Sequence, residues 1–133
     1  MLRPMAARCL IVDDNPQFLE VARQLLDREG IAVVGVASSG TEALELADEL
    51  QPEVTLVDID LGEESGFDIA ERLAAATNGR SRVILISTYA ETDFADLIAA
   101  SPAVGFLSKS DLSASAISAI LEGSSGEGPS GRR

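Results

Sequence analysis

Along the 133-residue chain, short apolar runs alternate with longer stretches of helical periodicity. The runs are residues 9–12, 31–36, 54–57, 83–86 and 104–107, and β-branched residues are common in them. They show little apolar/polar alternation, which predicts strands covered on both faces, as in a parallel sheet. Between them, Phe18, Val21, Ala22, Leu25 and Leu26 recur at helical spacing and predict one buried helix face.

Punctuation supports the same division. Asp14-Asn15-Pro16 offers a capping residue followed by a proline suited to a first helical turn. Ser39-Gly40-Thr41-Glu42 has capping-box spacing, and Pro52 marks the end of the helix that follows. Ile69, Leu73 and Ala76 form a third stripe ended by Asn78-Gly79. Phe94, Leu97 and Ile98 form a fourth, ended near Ser101-Pro102. Leu112, Ala116, Ile117 and Ile120 form a fifth, expected to close before Gly123. Five strand–helix units with short links predict a single-domain α/β fold, (βα)5, with a doubly wound parallel five-stranded sheet. Residues 8–122 hold this domain, after a short lead over 1–7. Residues 123–133 contain no aliphatic side chain and are expected to form a flexible tail or the start of a linker.

Composition narrows the function. A hydrophobic share of 46% is too high for a disordered chain, even at a formal charge of −12. Twenty-two Asp and Glu against ten Lys and Arg argue against direct nucleic-acid binding, because phosphates would meet net repulsion. The chain has no histidine, which removes Ser–His and Cys–His nucleophile pairs and any phosphohistidine donor. The one cysteine, Cys9, lies in an apolar run and reads as a buried thiol, with the reducing cytoplasm as the expected compartment. No apolar stretch approaches the roughly 18 residues needed to span a bilayer.

Parallel α/β sheets bind ligands beyond the carboxyl ends of their strands. Asp13 and Asp14 follow the first run, Asp58 the third with Asp60 two further on, Ser87 and Thr88 the fourth, and Lys109 the fifth. Any one of these is as readily a turn, cap or solvated residue; their coincidence at four strand ends points to a site. Lys109 is also the only lysine in the chain. Two carboxylates 4 Å apart repel by ~4 kcal/mol at an effective dielectric near 20, so a converging set holds a proton or a cation. All-oxygen ligands favour a hard ion, and a site with few protein ligands favours Mg²⁺. A metal, a hydroxyl and an ammonium around a carboxylate nucleophile suit a phosphoryl group. The expected product is an aspartyl phosphate.

These residues make the chain resemble the receiver domains of two-component response regulators, over roughly 8–121. Gly66, eight residues after Asp58, and Gly105-Phe106-Leu107-Ser108-Lys109 fit the same pattern. The resemblance implies a flavodoxin-like fold with strand order 2-1-3-4-5. It implies that Asp58 accepts a phosphoryl group from a sensor histidine kinase or histidine phosphotransfer protein. Asp14, Asp58 and the Asp60 backbone carbonyl would ligate Mg²⁺, with Asp13 assisting through water. Lys109 would pair with a phosphoryl oxygen, and Ser87 and Phe106 would act as the switch. The resulting shift would change the face of helix four, strand five and helix five, where the resemblance implies homodimer or effector contact.

Three positions depart from the family pattern. Gly62 replaces a usual proline, which predicts a looser loop after the third strand. Thr88 replaces a smaller residue, and with Asp60 and Tyr89 it is expected to tune access and slow loss of the phosphoryl group. Ser110 replaces a proline after Lys109, so a trans bond is expected there. Two rival functions use the same residues differently. A haloacid-dehalogenase-like phosphohydrolase would use Asp58 and Asp60, but leaves Asp13-Asp14 without a role. A cofactor-binding flavodoxin-like module lacks a Gly-rich phosphate loop after the first strand. The segment 33–40 is similar to that of receivers joined to LuxR-type DNA-binding domains, so the chain fits either a stand-alone regulator or part of a longer one.

Overall fold

The computed structural model describes residues 7–124. Most of the expected N-terminal lead, and the expected tail from residue 125, lie outside the described residues. The main sheet has five parallel strands: β1 (Arg8–Val12), β2 (Ala32–Ala37), β3 (Val54–Asp58), β4 (Arg82–Ser87) and β5 (Gly105–Ser108). Their order is 2-1-3-4-5, as the resemblance implied. Five α-helices connect or follow them: α1 (Pro16–Arg28), α2 (Gly40–Leu50), α3 (Gly66–Thr77), α4 (Ala95–Ala100) and α5 (Ala114–Ser124).

The strands lack polar alternation because both faces are covered. Leu10 and Val12 of β1 face one apolar cluster, with Ala43 and Ala47 of α2 and Ile69, Ala70 and Leu73 of α3. Cys9 and Ile11 face the other, with Ala22 and Leu26 of α1 and Ile117 of α5. Period two survives, but it alternates between two cores rather than between core and water. Each fully buried Leu or Ile contributes roughly 1.5–3 kcal/mol relative to exposure, before conformational entropy is subtracted.

Several helix ends form as the sequence predicts. Asn15 caps α1, its Oδ1 accepting from the backbone N–H groups of Gln17 at 3.0 Å and Phe18 at 3.3 Å. Ser39 caps α2 by accepting from the Glu42 N–H at 3.2 Å. The Glu42 carboxylate reaches back one residue further than a capping box requires, accepting from the Ser38 N–H at 2.9 Å.

Four details differ from the pattern. Val21 is 64% exposed while Leu19 packs, because the buried arc of α1 centres on Ala22 and Leu26 and Val21 sits about 100° from Ala22. Leu97 is 54% exposed: a 3₁₀ turn over Glu91–Phe94 precedes the six-residue α4, and its tighter winding shifts Leu97 out of phase with Phe94. Ala76 is exposed, its place on the buried face of α3 taken by Ala70 and Thr77. The last helix runs through Gly123 to Ser124 instead of closing before Gly123, and Leu112 is buried ahead of it rather than within it.

Candidate functional site

The backbone at the ends of β1, β3 and β5 brings one set of charges together. Asp13 follows β1 directly, is wholly buried, and accepts the Asn15 N–H on Oδ1 at 2.8 Å. The same Asn15 caps α1, so a single turn fixes both the carboxylate and the start of the helix. Asp58 ends β3, accepting the Asp60 N–H on Oδ1 at 3.2 Å and the Lys109 ammonium on Oδ2 at 3.2 Å. Lys109 follows β5 and places Nζ 2.6 Å from Asp13 Oδ2. Asp14 is exposed, yet carboxylate oxygens of Asp13, Asp14 and Asp58 all lie within 4.8 Å of one another.

Glycines make room for this arrangement. A Cβ on Gly66, the first residue of α3, would fall 2.1 Å from the Asp58 carbonyl oxygen, so only glycine lets the helix start against the end of β3. Gly62 has φ +71° and a Cβ there would approach Asp14 Oδ2 to 3.3 Å. Gly62 and Glu63 connect two short antiparallel strands, Asp60–Leu61 and Glu64–Ser65. The looser loop expected from replacing proline is therefore tied across its ends, and proline's fixed negative φ could not form this turn.

The electrostatics are those of a site with excess negative charge. Burial, and then the charge of Asp13, push the Asp58 carboxyl up to about 6, against the opposing pull of the Asp60 N–H and Lys109. Burial alone would lower the Lys109 ammonium, but its pairing with Asp13 and Asp58 outweighs that and holds it above its ordinary value. Asp13 Oδ2 meets Nζ as an ion pair but makes no hydrogen bond of good direction, so a buried carboxylate oxygen keeps spare acceptor capacity. Three carboxylates against one ammonium, with spare acceptor capacity on Asp13, fit a divalent hard cation such as Mg²⁺.

The remaining predicted residues surround this cluster. Ser87 ends β4, pairs in register with Ser108 beside Lys109, is buried, and accepts the Tyr89 N–H on Oγ at 2.9 Å. Thr88 and Tyr89 are exposed, and the Tyr89 ring meets Phe94 edge-on at 6.1 Å. Phe106 on β5 is half-buried against the core beneath α2 and α3. Asp60 is exposed and its carboxylate is not among the clustered ones, which leaves the phosphohydrolase alternative without its second acid. The Lys109–Ser110 bond is trans, as expected without proline. Sequence reasoning assigned Phe18 to the core alone. Its ring also lies under the Lys109 ammonium, with Nζ 4.5 Å from the centroid.

Comparison with known proteins agrees with this geometry. The family model described as "Response regulator receiver domain" matches residues 9–121. The response regulator GacA of Pseudomonas viridiflava is 31% identical over 103 residues, covering 77% of this chain and 48% of that protein. The chain spans about half the length of the curated relatives it matches. Among solved structures, the signal receiver domain of the response regulator NarL from Mycobacterium tuberculosis superposes with a TM-score of 0.78 at 30% identity, covering 93% of this chain and 100% of that one. A response regulator from Burkholderia pseudomallei, described with a phosphorylated aspartic acid, a calcium ion and citrate, gives 0.74 at 30% identity over 86% of this chain and 66% of that one. No helix among the described residues is long and apolar enough to cross a membrane. The chain belongs to the response regulator receiver domains, the phosphorelay signalling modules of two-component systems.

Proposed function

We propose that Asp58 is the phosphoryl acceptor of this receiver and that the phosphoryl group comes from a histidine kinase or histidine phosphotransfer protein. The 133 residues contain no histidine, so the donor imidazole lies outside them. The observation that carries the reading is the convergence of Asp13, Asp14, Asp58 and Lys109 from three strand ends. The Burkholderia relative supports it, being described with a phosphorylated aspartic acid and a divalent cation.

The carboxylates of Asp13, Asp14 and Asp58 would hold Mg²⁺, with the Asp60 carbonyl as a further oxygen. Bound there, Mg²⁺ supplies positive charge against the phosphoryl oxygens and the clustered carboxylates. An Asp58 oxygen forms the new P–O bond as the donor's P–N bond breaks and the imidazole leaves. Lys109, already 3.2 Å from Asp58 Oδ2, turns its charge to a phosphoryl oxygen. Ser87 accepts from Tyr89 and so keeps its hydroxyl proton to donate. Drawing Ser87 toward the phosphoryl group pulls on the segment after β4, and half-buried Phe106 follows by packing. The output is then a changed α4-β5-α5 face, used for contact with a partner protein or a second copy of the chain, in the cytoplasm. The chain acts as a signalling domain that assists only its own phosphorylation and dephosphorylation.

Incubation with acetyl phosphate and Mg²⁺, followed by intact mass measurement, tests the assignment. One phosphoryl adduct is expected, dependent on Mg²⁺ and absent in Asp58→Asn. An adduct that persists in Asp58→Asn overturns the acceptor assignment. If acetyl phosphate gives none, a beryllofluoride titration decides, and failure to bind that mimic overturns it equally.

A further inference from the structure

The ammonium of Lys109 has neighbours of two kinds. Asp13 Oδ2 at 2.6 Å and Asp58 Oδ2 at 3.2 Å supply charge, and the Phe18 ring, 4.5 Å from Nζ to its centroid, supplies a π face. The lysine side chain is 14% exposed, so little water is left to solvate the cation. An ammonium in such a place loses hydration, and an aromatic face restores part of it through the ring quadrupole.

The ring is built into the site by the same turn that builds the carboxylate. Asn15 donates its N–H to Asp13 Oδ1 and accepts the N–H of Phe18 on its side chain. Beyond that turn the ring packs against the core cluster that holds Ile11, Ala22 and Leu26, which fixes its orientation. The ring is therefore placed by the turn between β1 and α1, while the lysine comes from the end of β5.

We infer that Phe18 is a positioning residue for Lys109, holding the ammonium at the mouth of the site by a cation–π contact. This inference rests on the phosphoryl-acceptor reading for its functional part. A π face suits a cation that must change partners. Attraction to a ring varies slowly with angle, so the contact persists as Nζ turns from the two carboxylates toward an oxygen on Asp58. A leucine at 18 would occupy similar apolar space and desolvate the ammonium without compensating it.

Lys109 is the chain's only lysine, so selective labelling gives one lysine side-chain signal to follow. In the metal-free protein, its terminal methylene protons are expected to shift upfield through the ring current of Phe18. The shift should vanish in Phe18→Leu and return in Phe18→Tyr. In the presence of Mg²⁺, Phe18→Leu should weaken beryllofluoride binding by about two- to thirtyfold, with Phe18→Tyr close to wild type. Thermal melts confirm that each variant is folded. An unshifted lysine signal in the wild type overturns the contact. A shifted signal with unchanged beryllofluoride affinity in Phe18→Leu overturns the positioning role. If the wild type binds no beryllofluoride, the acceptor reading fails and the role fails with it, while the lysine signal still reports the contact separately.

Discussion

At Asp58, burial and then proximity to Asp13 act in the same direction, and both disfavour the ionised carboxylate. Its folded-state value of about 6 lies above the ordinary value near 3.9 of an unfolded chain. A raised carboxyl contributes stability that is complete below about pH 4 and is lost as pH rises through about 6. Without metal, ionised Asp58 therefore costs stability at pH 7. Asp58→Asn should be more stable than the wild type at pH 7 by about 1–2 kcal/mol, after allowance for solvent screening at the open edge of the site. The advantage should shrink toward pH 4. Paired melting curves across that range, with chelator present, check it; a difference that does not change with pH would contradict it. Mg²⁺ should reverse the order at pH 7, because the cation favours the ionised form and asparagine offers it no charge.

The start of α3 and the segment after β4 are where elements meet the site. Gly66→Ala would drive a methyl group toward the Asp58 carbonyl at 2.1 Å, and its nearest neighbours are backbone atoms of Asp58 and Ile59 that cannot rotate away. A loss of about 2–4 kcal/mol is expected in urea unfolding. A melt within experimental error of the wild type would mean that α3 can start elsewhere. The Thr88→Ala, Tyr89→Ala double variant should lose its phosphoryl group faster than the wild type, measured by the decay of the mass adduct, if these exposed residues directly after Ser87 screen the acceptor from attacking water. An unchanged half-life would remove these residues from control of access.

Much of this was legible in the sequence because it is local. The five apolar runs locate all five strands to within a residue or so, and the capping signals locate α1 and α2. The convergence of Asp13, Asp14, Asp58 and Lys109 follows from one rule about strand ends in parallel sheets. What was not legible depends on packing between segments distant in the chain. The choice of Leu19 over Val21 depends on the angle at which α1 crosses the sheet. The phase of α4 depends on the 3₁₀ turn before it, and the strands flanking Gly62 are two residues each, too short to carry a pattern. The Phe18–Lys109 contact joins α1 to the end of β5, and no spacing rule reaches that far.

For the whole molecule, burial is uneven across the sheet. β3 is buried throughout, as are most of β1 and β4, while all four residues of β5 are half-buried and α4 has no buried residue. Resistance to local opening follows burial and interior hydrogen bonding. Amide exchange should be slowest in β1, β3 and β4, reaching the global unfolding limit there. It should be faster in α4 and β5, the elements proposed to carry the output. Equal protection across all five strands would argue against a face that is easily rearranged.

Cys9 gives that comparison a chemical counterpart. It lies at 0% exposure in β1, which is flanked on both sides by other strands, and burial pushes its thiol up to about 12. An alkylating reagent needs a thiolate and a path to it, and the native fold denies both. The sulfur becomes reactive only when the centre of the sheet comes apart. The chain thus carries a single-atom clock for its own unfolding: the pace of thiol capture in native buffer, with and without Mg²⁺ or beryllofluoride, reads how far each ligand at the opposite end of β1 holds the centre of the molecule shut.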